Sequence, residues 1–223
     1  MTEQALILLE ENLSELNSID IKGILFYDMS IVYLKNKNNL SIDLVWNQTH
    51  MVTNYNTCNY YKNLGVNYAY LSSEITLDEI NEIKEKTNMK LFAFGFGYPV
   101  MAHTRRSLLT NYFYNRNKKY EGNNCHIYDN NNRFILKEDE TGTTFLNSEI
   151  VNGSCLLTNS KVDYIVFDNY LIEEEKSLEL VSLINEYKTT NNERVIGEIE
   201  DLIGTYTNFF FKKTIFMVKK NDK

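Results

Sequence analysis

Apolar and polar positions in the first half of the chain follow two periods, one helical and one extended, that alternate from segment to segment. Leu6 to Leu16 carries Leu and Ile at helical spacing, whereas Asp20 to Tyr27 (DIKGILFY) has the short apolar run of a buried strand. A short helix is predicted over Ile31–Leu34 and a strand over Leu40–Trp46. Thr53–Leu64 reads as a helix stopped by Gly65, because glycine accepts the left-handed conformation that ends helices. Val66–Leu71 is the next strand. Ser73–Lys86 is the next helix; Thr76 caps it, and Glu79 three residues on completes a capping box. Met89–Phe94 is strand again, inside the longer run KLFAFGFG (Lys90 to Gly97). Strands alternating with short helices predict parallel βα units, either a doubly wound sheet or a barrel.

The pattern changes after Phe113. Clusters of Asn and Gly between short apolar runs predict turns and β-hairpins up to about residue 160. One more βα unit follows, with a strand over Val162–Asp168 and a helix from Glu173 to Tyr187. A helix over ERVIGEIEDLI and a terminal strand within TYTNFFFKKTIFMVKK complete the chain. The organisation expected is a single domain: βα units over 1–113, a β-rich insertion over 114–160, and a final βα unit with a terminal strand over 161–223.

At 223 residues and 43% hydrophobic, the chain can bury one substantial core. Its net charge of -7 gives the surface as a whole no nucleic-acid signature, although a local basic patch can still supply one. Cys58, Cys125 and Cys155 match neither a zinc nor a redox spacing. The N-terminus MTEQALILLEENL lacks the basic start of a signal peptide, and no run reaches the roughly 18 apolar residues of a membrane span. A reduced, cytoplasmic protein is expected.

Chemistry in parallel βα folds collects beyond the carboxyl ends of the strands. The residues predicted there are Asp28; Trp46, Asn47, Gln48 and His50; Ser72, Ser73 and Glu74; His103, Thr104, Arg105 and Arg106; and Asp168 with Asn169. The segment GYPVMAHTRRSLLTNYF stands out, because it holds the only adjacent Arg pair, at the predicted exit of a strand. An Arg fork fits carboxylate or phosphate. We assign Glu74, His103 and Asp168 to acid–base work. Arg105, Arg106, Trp46, Asn47, Gln48, His50, Asn111 and Tyr112 are assigned to substrate binding. Plainer readings stand beside these: Glu74 as a helix N-terminal charge, Asp28 as a turn residue, Trp46 as core. Arg105, Arg106, Arg116, Lys118 and Lys119, interleaved with Tyr112, Phe113, Tyr114 and Tyr120, can contact phosphates and stack on bases. The same segment also reads as an ordinary helix followed by a solvated basic loop.

The run WNQTHMVTNYNTCNYYKNLGVNYAYLSSEITLDEI, then GYPVMAHTRRSLLTNYF, then the closing TIFMVKK, resembles peptidase family U32, the collagenase-like proteases. The resemblance runs from about Leu6 to the C-terminus. It implies a TIM-like (β/α) barrel, incomplete at the N-terminus, because relatives carry further βα units ahead of the Leu6 helix. About five parallel strands are legible here, where about eight close a barrel. An open edge in such a part-barrel would be prone to pairing, so an oligomer is expected. The family name implies a peptidase acting on a peptide; the related RNA-hydroxylation proteins imply a role in tRNA or rRNA base hydroxylation, with a small carboxylic acid such as prephenate as participant. The alternative is a truncated, non-catalytic member that binds a ligand or partner. No GxSxG elbow and no HExxH is present. Cluster-bearing relatives have a Cys, six residues and a second Cys just before the SLLTNYF-type segment. This chain has Val100 and Ser107, which leaves Cys125 and Cys155 where a cubane takes four thiolates. No metal or cofactor is therefore expected.

Overall fold

The structure is a computed structural model that describes residues 3–19, 21–48, 51–129, 132–206 and 208–211. It is a mixed α/β protein whose chain divides into two compact units. The first comprises Met1–Phe94, Cys155–Val166 and the chain from Asn208; the second comprises Gly95–Ser154 and Phe167–Thr207.

The first unit opens with α1 (Glu3–Ser18), β1 (Gly23–Phe26), α2 (Ser30–Lys37) and β2 (Asp43–Trp46). It continues with α3 (Tyr55–Asn63), β3 (Tyr68–Tyr70), α4 (Leu77–Lys86) and the start of β4 (Lys90–Gly97). Strands β1 to β4 are parallel and adjacent in sequence order. The register lines up Phe26, Trp46, Ala69 and Leu91 across the sheet, and all four are buried. Residues of opposite parity, Tyr68, Tyr70 and Phe92, point to the other face, where Phe92 stacks on Tyr164 with ring centroids 4.4 Å apart. The capping box at Thr76 and Glu79 is formed, with the Thr76 amide donating to Glu79 Oε2 at 2.7 Å. Helix α3 ends at Asn63, and Gly65 follows at φ +86°. Leu13, Leu34 and Leu40 make a buried cluster from α1, α2 and the approach to β2.

The second unit takes over within β4. After β5 (Val100–Thr104) and α5 (Leu108–Tyr114) come β6 (Cys125–Asp129), β7 (Asn132–Asp139), β8 (Gly142–Asn147) and β9 (Val151–Asn152). Helix α6 (Ser154–Asn159) starts the return to the first unit, and β10 (Tyr164–Phe167) leads into α7 (Glu174–Thr190) and α8 (Arg194–Ile203). Strands β5, β8, β7 and β6 form a four-stranded antiparallel sheet in that order. Strand β9 pairs antiparallel with the end of β4, and β10 lies beside β4. Helix α8 buries Val195, Ile199 and Ile203, spaced four apart on one face.

Two expectations differ from what is found. The β-rich part begins at Val100, not at 114. Only Tyr98 and Pro99 separate β4 from β5, so the Arg pair follows the antiparallel strand β5 and not the parallel strand β4. Asn208–Phe211 is a short helix, α9, where a terminal strand was expected; the rest of that predicted strand lies outside the described residues. The described strands give a parallel path β1-β2-β3-β4-β10, which by itself is an α/β sheet and not a closed barrel.

Candidate functional site

The Arg105–Arg106 bend of the second unit is held by hydrogen bonds and by a close backbone approach. It links β5 to α5, and four contacts fix its backbone. The Thr104 hydroxyl accepts the Arg106 amide at 3.3 Å. The Thr143 hydroxyl, on β8, lies 2.8 Å from the Arg106 carbonyl oxygen and accepts the Leu108 amide at 3.0 Å. Gly142 opens β8 at φ +130°, and its missing side chain is what lets the bend approach. A Cβ there would overlap the Thr104 carbonyl and lie 2.7 Å from Arg105 Cα.

Glu138, on β7, completes this arrangement. Its carboxylate accepts the Leu109 amide at 2.7 Å, the Thr110 amide at 3.0 Å and the Thr110 hydroxyl at 2.5 Å, and Thr143 Oγ1 lies 2.8 Å away. It thus satisfies amides at the start of α5 that have no partner within the helix. Burial pushes the Glu138 carboxyl up, but the hydrogen bonds from Thr110, Thr143 and the two amides outweigh it and hold the group below the ordinary glutamate value.

The side chains carried by this frame face solvent. Arg105 and Arg106 are exposed, and neither guanidinium has a hydrogen-bond or ion-pair partner among the described residues. At the other end of α5 the Arg116 guanidinium sits over the Tyr112 ring, 4.4 Å from its centroid. Tyr112 and Tyr114 are exposed, while Phe113 turns inward and stacks on Tyr120. Between Val100 and Arg133 the chain has six Lys or Arg against two Asp or Glu, the reverse of its overall balance. Asn111 is exposed on α5, next to Tyr112.

His103 lies within β5, where its Nδ1 is 3.0 Å from Thr144 Oγ1. It does not stand at the rim of the parallel sheet, as the sequence reading had it. Asp168 does follow a parallel strand, β10. Its Oδ1 accepts the Tyr170 amide at 3.0 Å, and its carbonyl packs on Gly97. Glu74 follows β3 and is exposed, with its amide donating to Ser72 Oγ at 3.2 Å. Glu74 belongs to the first unit and His103 and Asp168 to the second.

In the first unit the ends of β1 and β2 carry an amide–aromatic network. Trp46 is fully buried and stacks on Tyr61 of α3, with centroids 3.9 Å apart. Gln48 Oε1 accepts from Trp46 Nε1 at 3.2 Å and from the Tyr61 hydroxyl at 3.4 Å, and Gln48 Nε2 donates to the Tyr27 carbonyl at 2.6 Å. Asn47 Nδ2 donates to the Tyr27 hydroxyl at 3.2 Å. In this arrangement Trp46 is core. The Asp28 carboxylate, just ahead of α2, accepts the Ser30 amide at 3.0 Å. His50 lies outside the described residues.

The sequence reading missed Glu138, Gly142 and Thr143. The one local signal was the turn EDETG, which returns the chain to pair with β7; nothing in it points 30 residues back to the Arg pair. Val100 is exposed at the start of β5, and Ser107 is the residue before α5. Burial pushes the thiols of Cys58 and Cys155 up to about 11. Among the described residues no three His, Cys, Asp or Glu side chains are grouped to hold a metal ion, and no helix is long and apolar enough to cross a membrane.

Known proteins share this sequence pattern. The model of Peptidase family U32 matches residues 1–165. A "tRNA hydroxylation protein P2" of Bacillus subtilis (strain 168) is 26% identical over 236 residues, which cover 93% of this chain and 75% of that protein. No solved structure matches. With its βα framework and the RRSLLTNYF segment inside the matched residues, the chain belongs to peptidase family U32.

Proposed function

We propose that this U32 protein serves tRNA base hydroxylation by binding RNA through the exposed face of its second unit, from Arg105 to Arg116. The observation that carries this reading is the contrast at the bend. The backbone of Arg105 and Arg106 is pinned by Gly142, Thr143 and the Glu138 latch, yet their guanidinium groups have no partner among the described residues. Cations held out on a fixed frame suit a phosphate backbone, because the backbone that carries them is already ordered and the guanidinium groups have no internal partner to give up. Tyr112 under Arg116 adds an exposed ring of the kind on which bases stack. The relative named for tRNA hydroxylation supports the same direction.

Peptide hydrolysis is less well supported. A hydrolytic nucleophile needs a base within hydrogen-bond reach and a third group to orient that base. His103 and Thr144 supply the first contact, but no group on the other His103 nitrogen is present among the described residues, and the ring is exposed. The donor set does not fit an iron–sulfur cluster either. Val100 and Ser107 offer no thiolate, and the protonated state is favoured at the desolvated Cys155. In this reading the chain contributes RNA recognition, and no step is assigned to a cluster.

The test is mass spectrometry of tRNA nucleosides from a strain lacking the gene, with and without its restoration. Loss of a hydroxylated nucleoside that returns with the wild-type gene, and fails to return with Arg105→Ala/Arg106→Ala, is the expected result. An unchanged nucleoside profile would overturn the proposal.

A further inference from the structure

The two outer strands of the antiparallel sheet in the second unit are not equally protected. A strand edge presents unpaired backbone N–H and C=O groups, and proteins guard such edges with bulges, charges or Pro. Strand β5 has these guards. Its register to β8 shifts between Val100 and Ala102, Pro99 precedes it, and Arg105 and Arg106 follow it. Strand β6 has none. Its ladder to β7 runs unbroken from Cys125 opposite Leu136 to Asp129 opposite Asn132. From Gly122 to Tyr128 there is no Lys, Arg, Asp, Glu or Pro. His126 is exposed, Ile127 is 38% exposed and Tyr128 is 72% exposed.

We infer that β6 is a self-association edge, on which a second copy of this chain pairs its own β6 antiparallel about Ile127. The strand's sequence selects this occupant. With the two-fold axis at Ile127, each His126 falls opposite the partner's Tyr128 on one face, and the two Ile127 side chains meet on the other. Ring-to-ring and apolar cross-strand pairs are the stabilising kind, and no like charges are brought together. The register satisfies outward backbone groups whichever alternate set faces away from β7, because a symmetric antiparallel pair can centre on either a bonded or a non-bonded residue pair. The same patch on both copies makes a closed two-fold interface, so assembly stops at the dimer.

Sedimentation equilibrium of the full chain across a wide concentration range tests this. The expected result is a monomer–dimer equilibrium, with the mass rising from 26.2 kDa toward twice that value, and its loss in Ile127→Lys with an unchanged circular dichroism spectrum. Should that variant unfold, Ile127→Cys keeps the question open to measurement. Mild oxidation should convert it to a covalent dimer, because the register sets the two introduced thiols opposite each other, while wild type and His126→Cys should not cross-link through this strand. A monomer at every concentration overturns the inference, as does a dimer that survives Ile127→Lys or an Ile127→Cys that fails to cross-link.

Discussion

Glu138 and Thr110 meet twice: one carboxylate oxygen accepts both the amide of Thr110, at 3.0 Å, and its hydroxyl, at 2.5 Å. A residue on β7 thereby fixes where α5 starts, and with it the bend that carries Arg105 and Arg106. Replacing Glu138 with Ala should cost about 1–3 kcal/mol, since the Leu109 and Thr110 amides lose their acceptor. Urea unfolding measures this.

The acid side of stability should show the same group. The folded-state pKa of Glu138 is lowered from its ordinary value of 4.5, so its contribution is fully present above that value and is lost as pH falls through the lowered pKa. The stability difference between wild type and Glu138→Gln should therefore be largest above pH 4.5 and shrink below it. A difference that grows on acidification would contradict the assignment.

Arg105→Ala/Arg106→Ala should leave the melting temperature within about 1–2 °C of wild type, because exposed side chains without partners contribute little to folding. Binding to a tRNA should weaken, and the slope of log K against log salt should flatten by about 1.5–2 for two lost phosphate contacts. Fluorescence anisotropy at several salt concentrations reads both.

Tyr112→Phe should keep RNA affinity, and Tyr112→Ala should lose it by about 1–3 kcal/mol, because stacking needs the ring and not the hydroxyl. Equal losses in the two variants would show that the ring face is not what RNA contacts.

Trp46→Ala should destabilise the protein by about 3–5 kcal/mol, since it opens a cavity under Tyr61 and removes one of the two donors to Gln48 Oε1. The effect belongs to folding, so tRNA affinity measured on the folded fraction should not change. A selective loss of affinity would restore Trp46 to the binding surface where the sequence reading had put it.

Much of the first unit is legible in the sequence because its rules are local. The Thr76–Glu79 box spans one helical turn, the Gly65 stop concerns a single φ, and each βα step is read within about ten residues. The antiparallel sheet is legible only as a run of hairpins. Its pairing of β5 with β8 joins residues about 40 apart, which periodicity cannot see. For that reason His103 was assigned to the rim of a parallel sheet although it lies within an antiparallel one. Arg105 and Arg106 were visible by composition, but what holds them was not: Glu138 reaches α5 across 28 residues and Thr143 reaches Arg106 across 37. Trp46 shows the opposite limit. An aromatic residue at a strand end looks the same in sequence whether it faces a ligand or a helix, and here it faces Tyr61.

Asn152, fully buried in β9, also sets a condition on the order in which the molecule can be made. Its amide donates to the Tyr206 carbonyl at 2.9 Å, and its side-chain Nδ2 donates to Gly204 at 2.9 Å, both more than fifty residues downstream. Until the chain through Tyr206 has emerged from the ribosome, these donors have no acceptor there, and burying them would be costly. The second unit must therefore wait for the chain as far as Tyr206, even though its own sheet is finished by Asn147. A nascent chain stalled between Asn152 and Gly204 would hold a completed sheet on an incomplete unit, the kind of intermediate that chaperones and proteases act on.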